Sequence, residues 1–164
     1  MASSLHFIVV VCLTIGLWFE ADATCPKEPG RCETCPSGWT EFDGRCYQFY
    51  GVEKDWADAE RFCTSIGGNL ASLQSADVQN FLREMVFRDT NVYKNTWVGG
   101  SDAVKEGVWL WNDGSNFVFN RWGKGEPNNL GDEDCMEMNF SGQDYINDAK
   151  CELKRSFVCA KDTQ

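Results

Sequence analysis

Residues 126–134 of this chain read EPNNLGDED, and this stretch carries the most specific chemical signal in the sequence. Nearly every position supplies an oxygen donor, and Pro127 and Gly131 favour sharp turns. Carboxylate and amide oxygens, without histidine or thiolate partners, are the ligands that Ca²⁺ prefers. The register of an EF-hand loop is missing. The stretch therefore predicts a calcium site of another kind, with a solvated acidic surface loop as the alternative.

The composition predicts a single globular domain that does not bind nucleic acid. The chain has 164 residues, with 15 Lys and Arg, 25 Asp and Glu and a formal net charge of -10. Nucleic acid is a polyanion and is bound through clustered cationic side chains, which this chain does not supply. An acidic excess suits a cation instead.

The N-terminus predicts a secreted protein. Residues 7–19 form an apolar run shorter than the roughly 20 residues that span a bilayer. The run is followed by Ala21-Asp22-Ala23, a small-x-small pattern typical of signal peptidase sites. We interpret residues 1–23 as a signal peptide, and we expect an extracellular protein without a membrane span.

Cleavage near Ala23 removes His6, which is the one histidine of the chain. A Ser-His-Asp triad, a Cys-His pair and a His-ligated zinc site are then excluded from the mature protein. A pair of acid–base carboxylates remains chemically possible. We nevertheless expect a binding protein and not an enzyme.

The cysteines predict a disulfide framework. Of the nine cysteines, Cys12 lies in the predicted leader, which leaves an even number. An even count in a secreted chain indicates disulfides, although the count alone leaves 105 pairings. Cys32 and Cys35 also match a C-x-x-C redox or zinc pattern. Because a second such pair and any histidine are absent from the mature sequence, structural bridges are favoured.

The first half of the chain predicts a hairpin followed by two helices. Residues 24–34 are rich in Pro, Gly and charge and indicate an N-terminal extension. Residues 39–50 alternate around Asp43-Gly44, a hairpin turn signal. Apolar residues in 56–66 have helical spacing, and Gly67-Gly68 ends that helix. A short strand at 69–73 leads to a second helix with Ser75 as its N-cap. Its predicted apolar face is Val78, Phe81, Leu82, Met85 and Val86.

The second half predicts strands separated by long loops. Strand candidates lie at 97–99, 108–111, 135–138 and 156–160. Loops this long in a small domain are usually functional. The order of elements predicts an α+β domain with a small antiparallel sheet and a large loop region.

The chain resembles the C-type lectin-like domains over residues 35–160. The landmarks that carry the resemblance are Cys35-Pro-Ser-Gly-Trp39, Cys46-Tyr47, Trp56 to Cys63, Trp97-Val-Gly99, Trp109-Leu-Trp111, Glu126-Pro-Asn128, Glu133-Asp-Cys135, Asn147-Asp148, Cys151 and Phe157-Val-Cys159. The leader and the run from Trp97 to Asp102 look most like small secreted fish lectins and type II antifreeze proteins. The resemblance implies a C-type lectin-like fold, α+β and disulfide-stapled, with residues 161–164 as a tail.

The family pattern implies one set of disulfides. The pairs are Cys35–Cys46, Cys63–Cys159 and Cys135–Cys151. Cys25 and Cys32 lie outside the pattern. We expect them to bridge locally, with a bridge to another chain as the alternative.

The resemblance also implies a Ca²⁺ site that binds sugar and an auxiliary Ca²⁺ site. The first is formed by Glu126, Asn128, Glu133, Asn147 and Asp148, of which Glu126, Asn128, Glu133 and Asn147 also contact the sugar. The second is formed by Asp102, Glu106, Asn129, Glu133 and Asp134. In the family the peptide before the equivalent of Pro127 is cis.

The order Glu126-Pro127-Asn128 goes in this family with mannose-type sugars, so mannose-type glycans on microbial or cell surfaces are the expected partners. Leu130 agrees, because galactose binders tend to place a tryptophan there. The chain departs from the family at Ile146, where a tryptophan is usual. An ice-binding antifreeze protein and a sugar-independent interaction module are the alternatives. A homo-oligomer is left open, and Asn139-Phe-Ser141 is a candidate N-glycosylation sequon.

Overall fold

The computed structural model describes residues 34–119 and 121–164. The predicted signal peptide, Cys25 and Cys32 lie outside the described residues. Among those that are described, no helix is long and apolar enough to cross a membrane.

The domain begins with the predicted hairpin. Strand β1 (Thr40–Phe42) pairs antiparallel with β2 (Arg45–Lys54). Asp43 and Gly44 both adopt positive φ, 48° and 74°, as a tight two-residue hairpin turn requires. Strand β2 runs beyond the predicted hairpin to Lys54, and it pairs with the C-terminal strand, β8 (Arg155–Asp162), from Arg45 to Tyr50 and again at Lys54.

Both predicted helices are present. Helix α1 (Trp56–Ser65) begins at Asp55, whose carboxylate accepts from Asp58 N at 2.8 Å, and it ends just before Gly67 at φ 80°. Helix α2 (Ala76–Thr90) begins at Ser75, whose hydroxyl accepts from Val78 N at 3.2 Å. Each side chain therefore satisfies a backbone N–H that has no partner within its helix.

The predicted apolar face of α2 lies in the core, with Val78, Leu82, Met85 and Val86 buried. Phe81 is only half-buried and stacks on Phe42 of β1 with ring centroids 4.3 Å apart. This stacking fixes α2 against the opening hairpin.

The remaining strands form a mixed sheet. They are β3 (Asn69–Leu70), β4 (Thr96–Ser101), β5 (Leu110–Trp111), β6 (Cys135–Met138) and β7 (Ile146–Ala149). The order across the sheet is β1-β2-β8-β4-β6-β7, with β3 paired to β8 and β5 to β4. The α+β, C-type lectin-like fold expected from the sequence is confirmed. The expectation of purely antiparallel pairing was wrong at one place, because β4 and β8 pair in parallel.

Two further differences from the sequence-based expectation have local causes. Only the last two residues of the strand predicted at 108–111 are extended, because Val108 N donates to Lys105 O in a turn that includes Gly107 at φ 75°. Strand β7 was not predicted, because Asn147-Asp148 has no strand propensity. It forms because β6 pairs with it along its whole length.

Three disulfides brace the domain, and they are the pairs that the resemblance implies. Cys35–Cys46 links the segment before β1 to β2, Cys63–Cys159 links α1 to β8, and Cys135–Cys151 encloses β6 and β7. The two ends of the described domain also meet, because Thr34 and Gln164 exchange backbone hydrogen bonds of 3.1 and 3.2 Å.

Four tryptophans of the second half of the chain lie in the core or pack against it. Trp97 is fully buried and donates its indole N–H to Lys54 O at 3.0 Å. Trp109 and Trp111 are 8% and 3% exposed, and Trp122 is partly buried against Trp109. These rings are therefore not open platforms for stacking on a sugar.

Substitution Gly99→Ala should destabilise the domain by about 1–3 kcal/mol, the usual range for overpacking a core. A Cβ at Gly99 would lie 2.6 Å from Leu70 O and would also collide with the Asn112 side chain. The matched control is Gly51→Ala, whose added carbon would meet Phe49 at 3.6 Å, an ordinary contact. Urea unfolding measures both, and equal midpoints for the two variants would contradict the packing described here.

Candidate functional site

The loop 126–134 is attached to the sheet by one buried carboxylate. Asp148 lies on β7 and is 1% exposed. Its two oxygens accept from the backbone N–H groups of Asn128 at 3.2 Å and Asn129 at 2.6 Å. The Glu126–Pro127 peptide directly before these residues is cis. Asp148 therefore holds the start of the loop against the strand that carries it.

Hydrogen bonds inside the loop bring its other polar side chains together. Leu130 N donates both to Asn128 Oδ1 at 2.8 Å and to Glu133 Oε2 at 3.1 Å. Glu133 N donates to Asn129 Oδ1 at 2.6 Å. The side chains of Asn128 and Glu133 thus converge on one backbone group.

Glu126 and Glu133 lie among negative charges, which Lys150 offsets only in part at Glu133. Burial raises the pKa of Glu126, and Asp148 and then Glu133 raise it further. Burial also raises the pKa of Glu133, to which Asp148 adds, while the bond from Leu130 N acts in the opposite direction. Glu126 Oε2 is buried and has no hydrogen-bond partner within the described part of the chain. Buried polar atoms are normally paired, so this oxygen is available to a ligand.

The side chain of Asn147, the fifth predicted ligand, is held by a hydrogen bond to a neighbouring strand and not by the loop. It precedes Asp148 in β7, is 6% exposed, and donates from Nδ2 to Glu137 Oε1 at 3.2 Å. Glu126 approaches this strand near Ile146, because Gly123 N donates to Ile146 O at 2.9 Å and Glu126 N to Gly123 O at 3.0 Å. The loop and β7 therefore meet at the predicted ligands.

The residues of the predicted auxiliary site also lie together. Glu106 Oε2 accepts from Asn129 Nδ2 at 2.5 Å, and Asp102 N donates to Asp134 O at 3.2 Å. Asp102 is 2% exposed, and its Oδ2 accepts from Gly107 N at 2.8 Å. Its Oδ1 is buried without a partner among the described residues.

The carboxylates of the predicted auxiliary site repel one another. Desolvation and then Asp102 and Asp134 raise the pKa of Glu106. Desolvation, Asp132 and then Asp102 raise the pKa of Asp134. A divalent cation would remove this repulsion.

The donor set fits a hard cation whose ligands include amide and backbone oxygens. Within residues 34–119 and 121–164, no group of three or more His, Cys, Asp or Glu side chains is arranged to hold a metal by itself. The candidate sites combine carboxylates with Asn side chains, and each contains one buried oxygen without a protein partner, Glu126 Oε2 and Asp102 Oδ1. Calcium accepts such mixed oxygen ligands.

The candidate ligands do not line the most prominent cleft. A cleft of about 570 Å³ is lined by residues that include Arg45, Asn69, Gln74 and Asp113, and it contains none of the predicted ligands. A ligand at the 126–134 loop would therefore bind at the surface.

The asparagine of the predicted sequon, Asn139, is not accessible to solvent in the folded domain. Asn139 is 2% exposed, its Nδ2 donates to Lys94 O at 3.1 Å, and its Oδ1 accepts from Arg83 at 3.0 Å. A glycan would have to be attached to this buried, bonded nitrogen. Asn139 therefore has a structural role in the folded domain, and its glycosylation stays a prediction.

Sequence reasoning missed the residues that support β7. Arg83 of α2 donates to Gln143 O at 2.8 Å and Gly142 O at 3.0 Å, in the turn that leads into the strand. Gln79, also on α2, donates to Asp144 Oδ1 at 3.0 Å. These partners lie more than 50 residues apart in sequence, so no local pattern marks them.

Comparison with known proteins agrees with this architecture. The family described as Lectin C-type domain matches residues 52–161. The chain is 42% identical over 163 residues to the galactose-specific lectin nattectin of Thalassophryne nattereri, with 99% of each chain covered. Herring type II antifreeze protein is similar in structure, with a TM-score of 0.74, 32% identity, and 79% of this chain and 100% of that chain covered. The carbohydrate-recognition domain of cow CD23, solved in the presence of a GlcNAc2Man3 oligosaccharide, gives a TM-score of 0.73 at 32% identity, with 81% and 99% covered.

Metal-free protein should become more stable as the pH falls from about 7 toward about 4.5. The raised pKa values of Glu126, Glu133 and Asp134 mean that the folded state binds protons that the unfolded state does not yet bind. The stability that comes from these groups is therefore present at low pH and lost as the pH rises. The opposite contribution of Asp55, whose pKa is lowered by its bond from Lys154, is lost only at more acidic pH.

Melting temperatures of chelator-treated protein across this range measure the effect. Glu126→Gln should reduce the slope, since one repelled carboxylate is removed. A melting temperature that decreases steadily as the pH is lowered from 7 to 5 would contradict the charge clustering. So would a slope of melting temperature against pH that the substitution leaves unchanged.

Proposed function

Since the chain belongs to the C-type lectin domain family, we propose that it is a secreted, calcium-dependent lectin that binds mannose-type glycans. The observation that carries this proposal is the buried Glu126 Oε2, which has no hydrogen-bond partner among the described residues and lies among carboxylates whose pKa values are raised. Such a cluster is complementary to a cation and to hydroxyl groups, as the binding function of the family requires. The proposed role is therefore binding and not catalysis.

In this proposal Glu126, Asn128, Glu133, Asn147 and Asp148 hold the calcium that contacts sugar. When bound, calcium supplies coordination positions for two adjacent sugar hydroxyls. The carboxylates of Glu126 and Glu133 accept hydrogen bonds from those hydroxyls. The amides of Asn128 and Asn147 donate to them. The sugar is thus recognised by an ordered set of acceptors and donors.

The auxiliary calcium would be held by Asp102, Glu106, Asn129, Glu133 and Asp134. Its role is to keep the loop in its binding conformation, because Asn129 and Glu133 belong to the same loop as Glu126. Binding of metal to the folded state alone also stabilises the fold.

The mannose preference rests on the order Glu126-Pro127-Asn128. This order decides which hydroxyl meets an acceptor and which meets a donor, and in the family it accompanies a pair of equatorial hydroxyls. Leu130 is 73% exposed at the position where galactose binders tend to carry a stacking tryptophan.

Galactose is the second candidate ligand. It is favoured by the 42% identity to nattectin, which is named as a galactose-specific lectin. An antifreeze function is suggested by the similarity to herring type II antifreeze protein. Ice binding needs a flat, weakly charged face, and the acidic cluster at this loop does not provide one. Elution of the protein by free mannose or by free galactose distinguishes the two sugars directly.

An extracellular location fits the three disulfides, which persist in oxidising compartments. The relative of similar length is a fish lectin, which is consistent with a role outside the cell. Glycans on microbial or cell surfaces are the class of partner that such a protein would meet.

Excess EGTA should abolish retention on a mannose resin and should also lower the melting temperature. Calcium bound only to the folded state contributes about 2.7 kcal/mol when it is present at 100 times its Kd, and its removal restores the repulsion among the loop carboxylates. Retention and melting should both recover when calcium is added back and should not recover with magnesium. A melting temperature unaffected by EGTA would contradict the two calcium sites.

The double substitution Glu126→Gln with Asn128→Asp should weaken mannose binding and improve galactose binding while calcium is still bound. The exchange keeps one carboxylate and one amide but reverses the acceptor and the donor. Mismatched donors and acceptors in a sugar site leave polar groups unpaired, which costs affinity. The gain for galactose should be smaller than the loss for mannose, because Leu130 offers no aromatic face.

Competitive elution by each free sugar measures this change. The matched control is Glu152→Gln with Asn116→Asp, which makes the same chemical exchange at two exposed positions. If mannose elutes the Glu126 and Asn128 double variant as well as it elutes the wild type, these two residues do not contact the sugar.

A further inference from the structure

Glu137 is a charged side chain in the interior of the sheet. It lies in β6 and is 2% exposed. Its Oε2 accepts from Arg155 Nε at 2.7 Å, at the start of β8. A buried carboxylate is costly unless it is paired and hydrogen-bonded, and Arg155 supplies the opposite charge.

The second carboxylate oxygen of Glu137 accepts hydrogen bonds from two asparagine side chains. Glu137 Oε1 accepts from Asn95 Nδ2 at 2.7 Å and from Asn147 Nδ2 at 3.2 Å. Asn147 is the residue of β7 directly opposite Glu137 in the strand register. The contact is therefore built into the pairing of β6 with β7.

This contact determines which way the amide of Asn147 faces. An ionised carboxylate only accepts hydrogen bonds, so Asn147 must turn its NH2 group toward Glu137. The oxygen lies on the other edge of the planar amide, and it therefore faces away from Glu137. In the described part of the chain, Asn147 Oδ1 receives no hydrogen bond.

We propose that Glu137 is a positioning residue for the lectin site, which it serves by holding the Asn147 side chain with its oxygen available to calcium and one N–H available to a sugar hydroxyl. The inference rests on the proposed function, because it takes Asn147 as a ligand. The ion pair with Arg155 at 2.7 Å holds the Glu137 carboxylate in place, so that the carboxylate sets the orientation of the Asn147 amide.

The substitution Glu137→Gln tests this role with an almost unchanged shape. Arg155 has only donors, so the new amide must turn its oxygen toward Arg155 and its NH2 toward Asn147. The new NH2 group then faces the NH2 groups of both Asn95 and Asn147, and Asn147 is expected to flip. Its oxygen would be withdrawn from the metal, and calcium affinity should fall about tenfold or more, the usual effect of removing a residue that orients a metal ligand.

A second substitution should reverse the loss. In the Glu137→Gln background, Asn147→Asp provides a carboxylate that accepts from the new NH2 group and still presents an oxygen to calcium. Calcium affinity should recover most of the lost tenfold. In the wild-type background, Asn147→Asp should weaken calcium binding, because two carboxylates would then oppose each other across the β6–β7 pair.

The matched control is Glu60→Gln. Like Glu137, Glu60 accepts hydrogen bonds from neighbouring groups. The donors are Asn69 Nδ2 at 2.6 Å and Leu70 N at 2.7 Å. The hydrogen-bond partners of Glu60 among the described residues do not include a predicted metal ligand. This substitution should lower the unfolding midpoint in chelator and leave calcium affinity unchanged within a factor of about two.

Calorimetric titration with calcium alone gives the affinities, and urea unfolding in EGTA shows that each variant is folded. Wild-type affinity in Glu137→Gln, or no recovery in the double variant, would overturn the positioning role while leaving the lectin proposal intact. Wild-type protein that binds no calcium would overturn both. If Glu137→Gln does not fold, Asn147→Asp alone decides the question, and unchanged or tighter calcium binding by that variant would overturn the inference.

Discussion

Asp148 is the side chain on which the arrangement of the binding loop depends. It is buried, it carries a negative charge, and both of its oxygens are engaged by backbone N–H groups of the loop. A strand interior is an unfavourable place for a carboxylate unless it is paired. The two N–H groups satisfy its hydrogen bonds without neutralising its charge, and the same charge raises the pKa of Glu126 and Glu133. Loop conformation and affinity for a cation are thus consequences of one interaction.

The rest of the domain holds β7 in place for this interaction. Cys135–Cys151 closes the segment that contains β6 and β7, and Arg83 of α2 binds the turn between them from the other side. Helix α2 is in turn fixed by its buried face and by the stacking of Phe81 on Phe42. The face of α2 that packs on the core is largely apolar, and its polar side chains Gln79 and Arg83 contact the turn before β7. This division explains how a rigid core supports an irregular loop.

The elements that could be predicted from sequence are those with local signals. The Asp43-Gly44 turn, the Ser75 cap and the apolar spacing of α2 each depend on residues within a few positions, and all three are confirmed. Strand β7 and the parallel pairing of β4 with β8 depend on partners far away in the chain, and neither was predicted.

The candidate ligands were found through their oxygen-rich spacing and the family resemblance, whereas Glu137, Arg83 and Asn95 were not. Their roles arise from contacts across 40 residues or more, or from a strand register that only the folded sheet defines. Asn139 shows the opposite case. Its sequon is a local pattern that ignores burial, and the fold assigns the side chain to Lys94 and Arg83 instead.

The pairing of Thr34 with Gln164 has a consequence for how such a domain can be joined to other polypeptides. The two ends leave the domain at one point. They do so just after β8, whose Asp162 pairs with Arg45 at the start of β2. A stalk, a linker or a neighbouring module attached at either end would therefore extend from the same place. Domains with adjacent ends tolerate fusion and insertion well. The geometry makes this unit suited to being carried, singly or in tandem, through a single point of attachment.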